Sequence, residues 1–99
     1  LGEQALMHAA WRGHLDAVTW LLARGATMNR SAKQWTALHY AAASGSLAMI
    51  RLLLEAGADP LVPDSKGLRP IHYLLGEGPV PPNPKLDESE MLEAIALLR

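Results

Sequence analysis

Thr36-Ala37-Leu38-His39-Tyr40-Ala41-Ala42-Ala43-Ser44-Gly45 and the run that follows it, Leu47-Ala48-Met49-Ile50-Arg51-Leu52-Leu53-Leu54-Glu55-Ala56-Gly57-Ala58-Asp59, decide the fold. Each is a short apolar stretch closed by a glycine. Leu47, Ile50, Leu53 and Leu54 stand at offsets 0, 3, 6 and 7, which lines one face of a helix. Gly45 and Gly57 fall just past each run, where a helix C-terminus wants a residue free to take positive φ. Neither predicted helix exceeds about ten residues, so neither would persist alone in water and each must draw stability from its neighbours. The stretch reads as one helical hairpin in a stack.

Outward from this unit, the pattern returns. Leu38, Ala41, Ala42, Gly45, Leu47, Ile50, Leu53, Leu54, Gly57 and Ala58 have counterparts 32 positions earlier at Leu6, Ala9, Ala10, Gly13, Leu15, Val18, Leu21, Leu22, Gly25 and Ala26. A second return lies 33 positions on, where Arg69-Pro70-Ile71-His72-Tyr73 echoes Thr36-Ala37-Leu38-His39-Tyr40 and Gly78 echoes Gly45. Gly13, Gly45 and Gly78 are thus the expected stops of the three first helices. A fixed period of this length signals a repeat architecture.

These residues resemble the ankyrin repeat. Thr36-Ala37-Leu38-His39 is similar to its Thr-Pro-Leu-His opening, Ala41-Ala42 with Gly45 to its first-helix end, and Leu52 through Asp59 to its second-helix exit. Asp64-Ser65-Lys66-Gly67 resembles the hairpin turn of the family. The resemblance implies an all-α solenoid of three helical hairpins over residues 1–99: repeat 1 at about 3–34, repeat 2 at about 35–67, and repeat 3 at about 68–99 with an insert at 79–90. It further implies a curved stack whose concave face is built by hairpin tips and first helices.

The departures from the motif are specific. Repeat 1 opens with Gln4-Ala5-Leu6-Met7, without Thr or His, and Gln34 stands where the first turn Gly is expected. Repeat 3 has Arg69 for Thr36, so His72 loses the hydroxyl partner that Thr36 can offer His39. If Leu92, Ile95 and Leu98 match Leu47, Ile50 and Leu53, the offset there is 45 rather than 33, an insertion of 12 residues. Pro79, Pro81, Pro82 and Pro84 remove backbone donors and force extended backbone, so the insert reads as a stiff loop. Helix resumes near Glu88, where Asp87 and Glu90 have capping-box spacing.

Composition closes off other classes. Among 99 residues, 49% are hydrophobic, and 18 Leu and 16 Ala outweigh six Val plus Ile, so the apolar mass favours helix over strand. Nine basic and ten acidic side chains give a net charge of -1, which offers no overall field toward DNA, RNA or an anionic membrane. The balance is uneven along the chain: residues 1–86 carry a net +2 and residues 87–99 a net -3. Zero Cys excludes thiolate chemistry and disulfides and fits an intracellular, cytoplasmic setting.

No catalytic or cofactor motif is present: there is no Gly-x-Ser-x-Gly elbow, phosphate-cradling Gly loop or His-Glu-x-x-His pair. The chain is therefore expected to be no enzyme, and to need no cofactor or metal. His39 and His72 lie on neighbouring first helices about 8–10 Å apart, too far to share one ion, and read as hairpin locks. His8 and His14 read as packing or solvated residues, Asp59 and Asp64 as turn formers, and Trp20, the counterpart of Leu52, as a core filler. Trp11 and Trp35 fall on positions the resemblance assigns to the variable contact surface, and Trp and Arg dominate interface energetics. The expected contact residues are Trp11, Arg12, Lys33, Trp35, Ala43, Ser44, Ser65, Lys66, Leu68, Arg69 and Glu77.

The chain accordingly reads as a non-catalytic protein-protein interaction module. Its partner is expected to be a protein with an acidic, partly apolar surface, since Arg12, Lys33, Lys66 and Arg69 face one anion, Glu77. The insert at 79–90 is a candidate second contact. Two other classes remain open at this stage: a substrate-positioning accessory of a larger enzyme, and weak nucleic-acid contact through the basic side chains. The ends of the stack, with Leu6, Met7 and Ala10 at one and Ile95, Leu97 and Leu98 at the other, are apolar rather than polar caps, which suits missing repeats or an end-to-end partner.

Overall fold

In the computed structural model, which describes residues 3–26, 35–76 and 86–99, six helices follow one another in pairs. They are α1 (Glu3–Arg12), α2 (Leu15–Ala23), α3 (Ala37–Ser44), α4 (Leu47–Glu55), α5 (Pro70–Leu74) and α6 (Glu88–Leu98). The first helices of each pair pack in one layer, α1 on α3 on α5, and the second helices in another, α2 on α4 on α6. This is the helical-hairpin solenoid, all-α among the described residues, with three repeats. None of these helices is long and apolar enough to cross a membrane.

The periodic residues explain the packing. Leu6, Leu38, Val18, Ile50, Leu53 and Leu98 are at most 1% exposed and form a continuous core with the small Ala9, Ala10, Ala41 and Ala42, which let the first helices approach closely. The helix ends are closed by local chemistry that also repeats. Gly13 and Gly45 take φ of 75° and 73°, and the next residue's N–H reaches back to the carbonyl of Ala9 or Ala41 (2.9 and 3.3 Å), the same left-handed exit at both sites. Ser46 caps α4 by accepting from the Met49 N–H at 3.2 Å. Asp87 and Glu90 exchange both bonds of a capping box at 2.8 and 3.2 Å, which sets the start of α6 at Glu88.

Three expectations change. The first helix of repeat 3 has only five residues and stops before Gly76, which adopts φ 76°, two positions ahead of the expected Gly78. Gly78 and the proline run at 79–84 lie outside the described residues. Trp20 is no core filler: it is 54% exposed, with the Arg24 guanidinium 3.8 Å above its ring. At the stack ends, Leu6, Ala10 and Leu98 are fully within the core rather than open. The large apolar side chains exposed at the last repeat are Leu75 and Leu92.

Candidate functional site

The hairpin between repeats 2 and 3 shows how the structure holds its variable surface. Asp64 is 7% exposed and closes the turn on itself: its Oδ1 accepts the N–H of Lys66 (2.8 Å) and of Leu68 (3.0 Å), while its own N–H donates to the Leu68 carbonyl (2.9 Å). Gly67 supplies the positive φ, 76°, that the turn needs. The second carboxylate oxygen of Asp64 accepts from the Tyr73 hydroxyl of α5, and that hydroxyl in turn accepts from the Trp35 indole N–H at 3.0 Å.

His39 completes the clamp from the other side. Its Nδ1 faces the Thr36 N–H at 3.1 Å and the Thr36 hydroxyl at 2.9 Å. A backbone N–H can only donate, so Nδ1 is the acceptor and the ring proton sits on Nε2, which donates to the Leu68 carbonyl at 2.8 Å. Both ring nitrogens are engaged in holding the hairpin to α3. Burial, first, pushes the His39 pKa below its ordinary value of 6.5, with Leu68 and Asp64 pulling the other way. For Asp64, burial alone would raise the pKa, but the bonds from Tyr73, Leu68 and Lys66 outweigh it and hold the carboxyl below 3.8. Burial and then the Asp64 bond raise the Tyr73 pKa above 10.0. The equivalent His72 receives the Arg69 N–H at 2.8 Å, but a guanidinium carries no acceptor, so the hydroxyl half of the Thr36 arrangement is lost there.

This clamp fixes an aromatic relay across the first helices. Trp35 meets Tyr73 edge to face at 4.4 Å between centroids and Tyr40 at 4.9 Å, and Tyr40 meets Trp11 at 6.2 Å. Trp11, Trp35 and Tyr40 line an open groove of about 380 Å³ together with Gln4, Met7 and His8. Gln4, His8 and Trp11 stand at i, i+4 and i+7 on α1, so the groove runs along that helix. Among the described residues, no carboxylate, lysine or arginine is part of its wall. Trp11, 43% exposed, also walls a second groove of about 340 Å³, whose lining includes Arg12, Ser44, Ser46, Leu86 and Glu90. Trp11 thus joins a neutral aromatic channel to a polar one.

The expected contact residues divide accordingly. Trp11 and Trp35 come together on the first groove, and Trp11, Arg12 and Ser44 on the second. Ser65, Lys66 and Arg69 are exposed around the hairpin turn and the start of α5, and Leu68 is half-buried there, but none of these four lines either groove. Ala43 and Ser44 are 3% and 7% exposed and packed within α3, with the Ser44 hydroxyl donating to the Ala41 carbonyl. Lys33 and Glu77 lie outside the described residues. Gln4, Met7, His8 and Tyr40 were not anticipated as lining residues. The helical spacing of Gln4, His8 and Trp11, and the equivalence of His8 with Tyr40, were the available signals.

Comparison with known proteins agrees with this geometry. A family model described as ankyrin repeats in three copies matches residues 1–64. The mouse protein fem-1 homolog A-like is 44% identical over 71 residues, covering 71% of this chain and 11% of that protein. The human palmitoyltransferase ZDHHC13 is 38% identical over 71 residues, covering 69% of this chain and 11% of that protein. A putative ankyrin repeat protein of Pyrobaculum aerophilum is 40% identical over 70 residues, covering 71% of this chain and 26% of that protein. The chain therefore spans only about a tenth to a quarter of the length of these relatives. With a family model matched across residues 1–64 of 99 and the paired helices of each repeat in place, the chain belongs to the ankyrin repeat family.

Proposed function

We propose that this chain binds a segment of a partner protein along the track that runs from Trp35 past Tyr40 and over Trp11 to Arg12. Ankyrin repeats are generally protein-protein interaction modules and generally non-catalytic, which is the setting for this reading. The single observation that carries it is the placement of Trp11: a large aromatic, 43% exposed, at the shared wall of two grooves. An apolar side chain of the partner enters the aromatic groove, and acidic groups meet Arg12 on the adjoining groove and the exposed Lys66 and Arg69 of the hairpin and the start of α5. Charges of this kind speed encounter, and the buried aromatic contact sets residence time. Activities named for longer relatives belong to those proteins.

Covering the exposed part of Trp11 removes about 100 Å² of apolar surface from water, about 2.5 kcal/mol at roughly 25 cal/mol per Å². Peptides selected on the folded chain from a displayed random library supply a partner in the test. Their affinity for a Trp11→Ala variant, whose fold is checked by circular dichroism, is expected to fall on the order of 50-fold. Equal binding to the variant and the parent chain would remove this track from consideration.

A further inference from the structure

We infer that Tyr73, a third-repeat residue too buried for a partner to touch, is a positioning residue for the track: its hydroxyl sets the Trp35 ring and thereby the affinity of the aromatic groove. The inference rests on the reading of that track as the binding surface. Tyr73 is 2% exposed and lines neither groove, whereas Trp35 is half-buried and lines the first. The two are joined by the bond from the Trp35 indole N–H to the Tyr73 hydroxyl, at 3.0 Å, and by an edge-to-face contact at 4.4 Å. His39 stacks on the same indole at 6.3 Å and Tyr40 meets it at 4.9 Å. These ring contacts bound where the indole can lie, and the hydrogen bond decides which way its N–H points.

The direction of each bond in the set is fixed. A tyrosine hydroxyl carries one proton and the Asp64 carboxylate can only accept, so that proton points to Asp64 and a lone pair is left toward Trp35. Asp64 is itself held by the N–H groups of Lys66 and Leu68 at 2.8 and 3.0 Å, which keeps the acceptor of the hydroxyl in place. Donation to a carboxylate also makes the hydroxyl oxygen a better acceptor for the indole. Without the hydroxyl, the indole N–H meets only the edge of a ring and turns to water, and the open side of Trp35 is the groove. The ring then swings into the space that a partner's side chain needs. The counterpart of Tyr73 in the second repeat is Tyr40, which lines the groove itself. One aromatic position thus builds the wall in one repeat and sets it from behind in the next.

The test is Tyr73→Phe, which keeps the ring and removes the hydroxyl, with two readouts. The first needs no partner: by heteronuclear NMR, the Trp35 indole N–H of the parent chain is expected to exchange with solvent far more slowly than that of Trp20, which is 54% exposed, and to lose that protection in the variant. The second uses the peptides selected on the folded chain. With the freed ring correctly oriented about a tenth of the time, their apparent Kd rises about tenfold, through slower association with dissociation unchanged. A contact residue such as Trp11 shows the opposite split, in the dissociation rate. Ile50→Val, a core change at a residue that lines neither groove, controls for lost stability and is expected to leave affinity as it is. If Tyr73→Phe fails to fold by circular dichroism, indole exchange in the parent chain decides alone. Peptides that bind Trp11→Ala and the parent equally would remove the track and this role with it. Peptides sensitive to Trp11→Ala but indifferent to Tyr73→Phe would overturn the role and leave the track standing, as would a Trp35 indole N–H that exchanges as fast as that of Trp20.

Discussion

Replacing His39 with Ala tests the clamp that holds the hairpin to α3. The imidazole is fully buried, and its loss leaves the buried Thr36 N–H without its acceptor, at a cost of about 1–3 kcal/mol. The bond from Nε2 to the Leu68 carbonyl goes too, about 1 kcal/mol more, softened because that carbonyl still accepts the Asp64 N–H at 2.9 Å. The space left by the ring beside Tyr73 and Trp35 adds about 1 kcal/mol. The sum is about 3–5 kcal/mol, a large fraction of the roughly 5–15 kcal/mol typical of a domain. His72→Ala supplies the internal control. That ring is half-buried and receives one backbone bond, so its removal should cost under about 1 kcal/mol. Urea unfolding followed by far-ultraviolet circular dichroism reads both. Losses of similar size at the two histidines, or a loss below about 1 kcal/mol at His39, would refute the argument that the His39 bonds, rather than the repeat position itself, secure the hairpin.

Three further outcomes follow from the same contacts. The folded pKa of His39 lies below 6.5, so the folded chain binds fewer protons there than the unfolded one; the stability this contributes is present above pH 6.5 and lost as pH falls toward the folded value. Urea midpoints should drop across that window and the His39 contribution to the drop should vanish in His39→Ala; Asp64, with a folded pKa below 3.8, adds a second loss in stronger acid. Tyr73→Phe removes the hydroxyl between Asp64 and Trp35 and should cost about 2–4 kcal/mol in the same assay, because a buried carboxylate loses a donor and an indole N–H its acceptor. Gly45→Ala should cost about 1–2 kcal/mol, since φ is 73° at the end of α3, and a thermal melt within a degree of the parent would show that the left-handed exit is not needed.

The fold was largely legible because its determinants are local and periodic. The spacing of Leu47, Ile50, Leu53 and Leu54, the glycines at 13 and 45, and the Asp87–Glu90 pair each specify structure within a few residues of themselves. Thr36 and His39 were legible for the same reason. What escaped depends on contacts across repeats: nothing near Asp64 in sequence marks it as the buried acceptor of a tyrosine nine residues later, and Trp35's bond to Tyr73 spans 38 residues. Trp20 misled because equivalence to Leu52 does not by itself transfer burial. The burial of Ala43 and Ser44 was not legible because it comes from the helices packed around the end of α3. The uncharged lining of the Trp11 groove among the described residues was hidden by the basic residues nearby in sequence.

The hydrogen-bonded clamp also gives the array a direction of failure. At the junction of the second and third repeats, His39, Asp64 and Tyr73 tie helix, turn and helix into one set of mutually dependent bonds. The position of His39 in the first repeat is Met7, a thioether that cannot donate to a turn carbonyl. Amides of α1 and α2 are therefore expected to exchange with solvent under mild denaturant before those of α3 and α5, an order that hydrogen exchange would read.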